Sequence, residues 1–388
     1  MTFQLSGPAH SSSTTSWTKG DTYHLIRSGL AGDGHRDIPA TVRDHPRVFL
    51  TLTAPSFGPV HNRPGTRPCR CGTAHSEDAP ALGTPLNPES YDYASAALFN
   101  NHAGQLWQRF TTRLRREIAG AAGLSQRELK ELARISYGKV AEFQKRGAVH
   151  FHAVIRIDGT DGPDTPPPSW ATAELLTHAV QAAAAHAYTT VTVPAAGDQP
   201  LRRLRWGTQL DIRPVKAFGD GSDITEQAVA SYNAKYATKA AETTGSLDRR
   251  VGNREALVLL GVPDDTRRLV ESCFDLDPLY PDRRLLAWAH MLGFRGHFSS
   301  KSRRYSTTLT ELRQTRADYR AAQERTARGL DDVEPDTVLV LTSWTYAGQG
   351  HTPGEAALAA SIARDIQLNR ETAREALRDQ LVLEGTEA

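Results

Sequence analysis

The sequence is short of cysteine, lysine and net charge, and each shortage excludes something. Three cysteines among 388 residues, Cys69, Cys71 and Cys273, cannot make a disulfide framework. The opening MTFQLSGPAHSSSTTSW has neither the basic start nor the apolar core of a signal peptide, and no apolar run approaches the ~20 residues of a membrane helix. The expected setting is therefore the reducing cytoplasm, with no membrane partner. Basic and acidic residues nearly cancel, 46 against 44, so net charge announces no nucleic-acid partner and any basic surface must be local. No G-x-x-x-x-G-K-[ST] run is present, which argues against an intrinsic P-loop ATPase. Neither a repeat nor a heptad array is visible. Lysine is scarce, eight against 38 arginines. Four of the eight, Lys145, Lys235, Lys239 and Lys301, fall inside the motifs described below, where a compact ammonium differs from a guanidinium fork.

The length predicts two or three domains. Residues 1–45 are polar and rich in Gly, Ser and Thr, and are expected to be loosely ordered. RVFLTLTAPSF (47–57) reads as a strand. Residues 58–93 form a long Gly/Pro/Cys/His insertion that needs a local staple or remains a loop. Leu106, Trp107, Phe110, Leu114 and Ile118 make the apolar stripe of a helix. Strands are expected at 135–144, 148–157, 190–193 and 206–215, with helices at 170–188 and about 223–242. These elements interleave without a βαβ period, so the class is α+β. Residues 46–245 are read as one domain, and 246–388 as a mixed, mainly helical C-terminal extension.

GAVHFHAVIRI (147–157) carries the first chemical signal. At period two, Val149, Phe151, Ala153, Ile155 and Ile157 fall on one face, while His150, His152, Val154 and Arg156 fall on the other. A three-residue hairpin loop, Lys145-Arg146-Gly147 with glycine left-handed, pairs Gln144 with Ala148 and sets Glu142 opposite His150. Two histidines and one carboxylate then share a face as a three-ligand site with open positions, suited to a divalent ion. Zn²⁺ or Fe²⁺ would satisfy the same ligands. The second signal is VASYNAKYATKA (229–240), where Tyr232 and Tyr236 stand one turn apart and Lys235 and Lys239 repeat the unit Y-x-x-K. Such tyrosines commonly pack a core, but a tyrosine beside an ammonium also describes an activated phenolate able to attack a phosphodiester polarised by the cation.

FLTLT (49–53), EFQKRGAVHFHAVIR (142–156) and YNAKYATK (232–239), in that order, resemble the HUH endonucleases, and among them the rolling-circle replication initiators of actinobacterial plasmids and integrative elements. The resemblance implies a central antiparallel sheet flanked by helices, with Mg²⁺ or Mn²⁺ held by His150, His152 and Glu142. It implies a nucleophilic tyrosine at 232 or 236, with Tyr236 favoured for the first cleavage and Tyr232 then serving the terminating transfer, and 246–388 as a DNA-binding accessory domain. Implied partners are single-stranded or supercoiled origin DNA, a host helicase and the host replication machinery. Conjugative relaxases differ, since their tyrosine generally precedes the histidines and a third histidine follows.

GFRGHFSSKSRRYS resembles the C-terminal part of the same initiators, and mixes Arg295, His297, Lys301, Arg303 and Arg304 with Phe294, Phe298 and Tyr305, a blend suited to a nucleic-acid backbone and exposed bases. Arg156 is a further candidate for a phosphate. Asp211, on the polar face of WGTQLDIRPV, is placed to orient a ligand or a lysine. His61, Cys69, Cys71 and His75 are a candidate structural Zn²⁺ set, although the Cys-Pro-x-Cys that such initiators tend to have next is here Asn87-Pro88-Glu89-Ser90. The competing readings are a two-tyrosine HUH transposase, a cupin-like non-haem metal oxidoreductase, and an origin-binding protein without catalysis.

Overall fold

The computed structural model describes residues 19–32, 38–65, 67–215, 262–306 and 308–327, with isolated positions at 251, 254, 257, 364 and 367. The helix expected at about 223–242 lies outside the described residues.

The hairpin is the centre of the fold. Strands β2 (Arg134–Phe143) and β3 (Val149–Asp158) pair antiparallel with Glu142 opposite His150. Gln144 N–H donates to Ala148 O at 2.9 Å, and Gly147 sits at φ +74°, so the turn is the three-residue loop that the parity of the two strands requires. Strands β1 (Arg47–Leu52), β6 (Leu210–Pro214) and β7 (Ser299–Lys301) complete one antiparallel sheet in the order β6-β1-β3-β2-β7. β4 (Val191–Val193) and β5 (Arg202–Leu204) form a separate two-stranded ladder.

One face of the large sheet carries the main core. Helix α2 (Tyr93–Ala121) starts at Asp92, whose carboxylate accepts Ser95 N–H at 2.8 Å, and runs about 43 Å at 1.5 Å per residue. It buries Phe99, Leu106, Trp107, Phe110, Leu114 and Ile118. Trp107 meets Tyr137 and Phe151 edge-on. The short helix α3 (Gln126–Leu132) opens with a capping box and leads into β2. Helices α4 (Ala173–Ala185) and α5 (Asp264–Leu276) bury Leu176, Val180, Leu269 and Cys273 in the same cluster. Buried Asn100 of α2 ties this layer to the hairpin: its Nδ2 donates to Gly147 O and Leu292 O, and its Oδ1 accepts Val149 N–H, all at 2.8 Å. The architecture is α+β, a central antiparallel sheet with helices on it, as expected.

Two expectations need correction. Residues 1–45 are not loosely ordered throughout: α1 (Lys19–Ala31) and a 3₁₀ turn, Ala40–Asp44, cover part of the other sheet face. Ile26 and Leu30 pack there with Phe49, Val140, Val154, Val215 and Tyr305. This helix owes its stability to that burial, which a polar average composition conceals. The expected boundary at 245/246 lies outside the described residues, yet β7 pairs with β2 and Phe294 packs on Phe143 and Phe151. Residues 16–313 form one compact unit, so the segment through β7 belongs with the sheet; β7 is too short to leave a strand pattern in the sequence. Residues 1–15 and 314–388 form the second unit, and the last described helix, α6, is Leu309–Ala327. Among the described residues no helix is long and apolar enough to cross a membrane.

Candidate functional site

The outer face of β3 is divided. Towards its start, His150 and His152 meet Glu142 of β2, and three donor atoms converge. His150 Nε2 lies 2.7 Å and His152 Nε2 3.0 Å from the same Glu142 oxygen, Oε2, and the two nitrogens are 3.1 Å apart. The rings stand edge-on, with centroids 4.5 Å apart. Glu142 and His150 are part-exposed, whereas His152 is buried. Burial alone pushes the Glu142 carboxyl up, but hydrogen bonds and charge from the two imidazoles outweigh it and hold the carboxyl below its usual range. Burial also pushes His152 down, with the charge of His150 adding to that against the pull of Glu142, so the ring favours its neutral, ligating form.

β1 supplies a second layer that sequence reasoning missed as such. Its register puts Thr51 opposite His152, with Thr51 Oγ1 at 3.0 Å from His152 Nδ1. Phe49, two residues back on the same face, stacks on the His152 ring with centroids 5.8 Å apart and planes 7° apart. Asp211 of β6 pairs with Thr51 on the far side and is exposed, ion-paired to Arg213 at 3.0 Å, and its charge raises the affinity of His152 for a proton. The alternation of FLTLT carried the signal for Phe49 and Thr51, but only the pairing register tells which histidine they meet. The turn is fixed by Arg146, whose guanidinium donates to Pro55 O at 2.8 Å and Ala54 O at 3.0 Å just past the end of β1.

Towards the end of β3 the same face is sealed, which corrects the assignment of Arg156 to a phosphate. Arg156 is fully buried. It pairs with Asp158 through two nitrogens and donates to the carbonyls of Gly29 and Tyr305. Asp158 also takes His45 at 2.8 Å and the Ser136 hydroxyl at 2.7 Å. Period two identifies the face of a residue but does not reveal that α1 covers half of it.

The C-terminal cluster is also redistributed. Phe294 and Tyr305 are fully buried, so they cannot stack on bases; Tyr305 donates to Ile26 O at 3.2 Å. Lys301 turns its ammonium onto Ser306 O at 2.7 Å and Arg303 O at 3.1 Å. Arg295 is half-buried and reaches Asp282 O at 3.4 Å, while His297, Arg303 and Arg304 are exposed. His61, Cys69, Cys71 and His75 are brought together as a second donor cluster within the 58–93 insertion. Tyr232, Lys235, Tyr236 and Lys239 lie outside the described residues.

A part-exposed carboxylate and two imidazoles aimed at one point, on neighbouring interior strands of the sheet, are suited to holding a divalent ion against a substrate oxygen. No solved structure matches this chain. A curated replication initiator protein from Streptomyces ambofaciens is 76% identical over 373 residues, covering 96% of this chain and 81% of that protein. The sequence model of the RepSA family, described as replication initiator protein of pSAM2, matches residues 13–364. The match takes in the hairpin of Glu142, His150 and His152, the insertion and the tandem tyrosines alike, and the chain belongs to the RepSA family of replication initiator proteins.

Proposed function

We propose that the chain is a metal-dependent, site-specific DNA nickase and strand transferase of the HUH type, starting rolling-circle replication at a plasmid origin. The observation that supports it most is the triangle of Glu142 Oε2, His150 Nε2 and His152 Nε2, with sides of 2.7, 3.0 and 3.1 Å. Neighbouring ligands of an octahedral ion with bonds of about 2.1 Å stand about 3.0 Å apart, so the trio fits one face of Mg²⁺ or a similar ion such as Mn²⁺. When bound, such an ion polarises the scissile phosphodiester. In this reading His152 Nδ1–H donates a hydrogen bond to Thr51 Oγ1, which leaves Nε2 with its lone pair free for ligation.

The nucleophile in this reading is Tyr236, with Tyr232 serving the terminating transfer, and Lys235 and Lys239 favouring the phenolates. The phenolate oxygen attacks phosphorus, the bond from phosphorus to the 3′ oxygen breaks, and that oxygen takes up a proton. The 5′ phosphate remains on tyrosine. One phosphoester replaces another, so the strand can be rejoined without an external energy source. The substrate is origin DNA, single-stranded or supercoiled, with His297, Arg303 and Arg304 as exposed contacts for its backbone. A host helicase and the host replication machinery complete the reaction, since the chain carries no P-loop.

The cupin-like alternative would want a glutamate about four residues after the second histidine; position 156 is an arginine locked to Asp158, and among the described residues the histidines lie on an open five-stranded sheet. Family membership favours replication over transposition. Incubating the protein with supercoiled plasmid bearing its origin and Mn²⁺ tests the proposal: the expected product is the open circle, absent with chelator and with a His150→Ala/His152→Ala variant. Binding of the origin without any nicking in Mn²⁺ or Mg²⁺ sinks the enzyme reading in favour of an origin-binding protein.

A further inference from the structure

Residues 58–92 fold almost without a core. Between Gly58 and Thr84 the one buried residue among those described is Cys69. The neck of the loop is tied by backbone bonds, His61 N–H to Thr84 O at 2.9 Å, Gly83 N–H to His61 O at 2.8 Å and Leu86 N–H to Pro59 O at 2.9 Å. Among the described residues the distal part has no such ladder. It turns tightly instead: Gly72 N–H donates to Cys69 O at 2.8 Å, Cys69 N–H to Thr73 O at 3.0 Å, and Gly72 takes φ +86°, which only glycine adopts readily. That turn brings Cys71 and His75 back over Cys69 and His61, so the short Cys-x-Cys spacing places both sulfurs on one side of it.

We propose that His61, Cys69, Cys71 and His75 form a structural Zn²⁺ site that holds this insertion folded. Four potential ligand atoms, one from each residue, all lie within 4.8 Å of one another. His61 Nδ1 is 3.1 Å from His75 Nε2, Cys71 Sγ is 3.3 Å from His75 Nε2, and Cys69 Sγ is 3.9 Å from His61 Nδ1. A tetrahedral ion with bonds of about 2.3 Å to sulfur and about 2.05 Å to nitrogen spaces its ligands by about 3.3 Å for two nitrogens, about 3.6 Å for nitrogen and sulfur, and about 3.8 Å for two sulfurs. The observed spacings scatter around those values by a few tenths of an ångström. Two imidazoles and two thiolates make a closed, charge-neutral tetrahedral set with no open position, which is a structural and not a catalytic arrangement. The two thiols are free and not joined to each other. Asn62 N–H points at Cys69 Sγ at 3.5 Å, the kind of outer hydrogen bond that orients a thiolate ligand.

The site has a bearing on the hairpin. Gly83 packs against Lys145, where an added Cβ would stand 3.0 Å from the Lys145 Cβ, and Lys145 Nζ donates to Ala79 O at 3.4 Å. The zinc-held insertion therefore buttresses the turn between Glu142 and His150.

The test uses the full chain, purified and dialysed against a weak chelator. Metal analysis is expected to give one zinc per chain, retained by a His150→Ala/His152→Ala variant and lost by Cys69→Ser/Cys71→Ser. Should the serine variant fail to fold, Co²⁺ exchanged into the wild-type chain decides: thiolate-to-metal charge transfer and the intense visible bands of a tetrahedral ion are expected, with both thiols resisting alkylation until a strong chelator is added. Zinc below stoichiometry in the wild type, zinc lost with the histidine pair and kept with the serines, a Co²⁺ spectrum without thiolate bands, or a Cys69–Cys71 disulfide would each overturn the site.

Discussion

Thr51 Oγ1 lies 3.0 Å from Nδ1 of His152, on the side of the imidazole away from Glu142. The two ring nitrogens thus face different sides, Nδ1 towards Thr51 and Nε2 towards Glu142 and His150. Neutral His152 with its proton on Nδ1 donates to Thr51 and presents a lone pair at Nε2. Removing the hydroxyl frees the tautomer and costs the orientation of a buried imidazole.

Thr51→Val is therefore expected to weaken Mn²⁺ binding by about 10–100-fold and to reduce nicking in step, while Thr51→Ser stays near wild type. Titration calorimetry of both variants measures it. Wild-type Mn²⁺ affinity in Thr51→Val would show that the hydroxyl does not set the ligand.

The hairpin was legible because period two, a glycine in the loop and the parity of Glu142 with His150 left one consistent register, and the structure has it. The class followed from the interleaving of strands and helices. What could not be read is whatever depends on tertiary cover. Arg156 and His152 share a face in the sequence, but α1 closes over the first and leaves the site of the second open at its rim. Likewise Phe294 and Tyr305 sit among arginines in the chain, yet their rings go inward, because a three-residue strand docks that segment on β2.

Arg156 and the exposed pair Arg303 and Arg304 should respond oppositely. Arg156→Ala leaves Asp158 in a buried site short of its main cation and is expected to cost about 3–5 kcal/mol of stability in denaturant titration. Arg303→Ala and Arg304→Ala are expected to change stability by no more than about 0.5 kcal/mol, and each to lower the slope of log affinity for single-stranded DNA against log salt by about 0.7. A stably folded Arg156→Ala protein with an altered salt slope would reinstate that residue as a phosphate contact.

Lys139 gives a pH signature that belongs to the fold and not to the site. It lies on the core face of β2, 3.9 Å from the centre of the Phe151 ring, and burial pushes its ammonium down from 10.5 to about 7. Between those values the unfolded chain holds a proton that the folded chain does not, so stability rises with pH across the window. Relative to Lys139→Met, which has no such proton, the wild type should gain up to about 1.4 kcal/mol per pH unit between about pH 7 and 10 and stay less stable than the variant at pH 7. Parallel stability profiles for the two proteins would mean that the lysine reaches solvent.

The most direct measurement is capture of the covalent link. Single-stranded origin DNA is incubated with the full chain and Mn²⁺, the protein is digested, and the peptide bearing the nucleotide is sequenced by mass spectrometry, beside Tyr232→Phe, Tyr236→Phe and the double variant. The expected result is a 5′-phosphotyrosine on the peptide holding Tyr232 and Tyr236, mainly at Tyr236, reduced in each single variant and absent in the double one. No adduct with the wild-type chain, or an adduct that survives loss of both tyrosines, would contradict it.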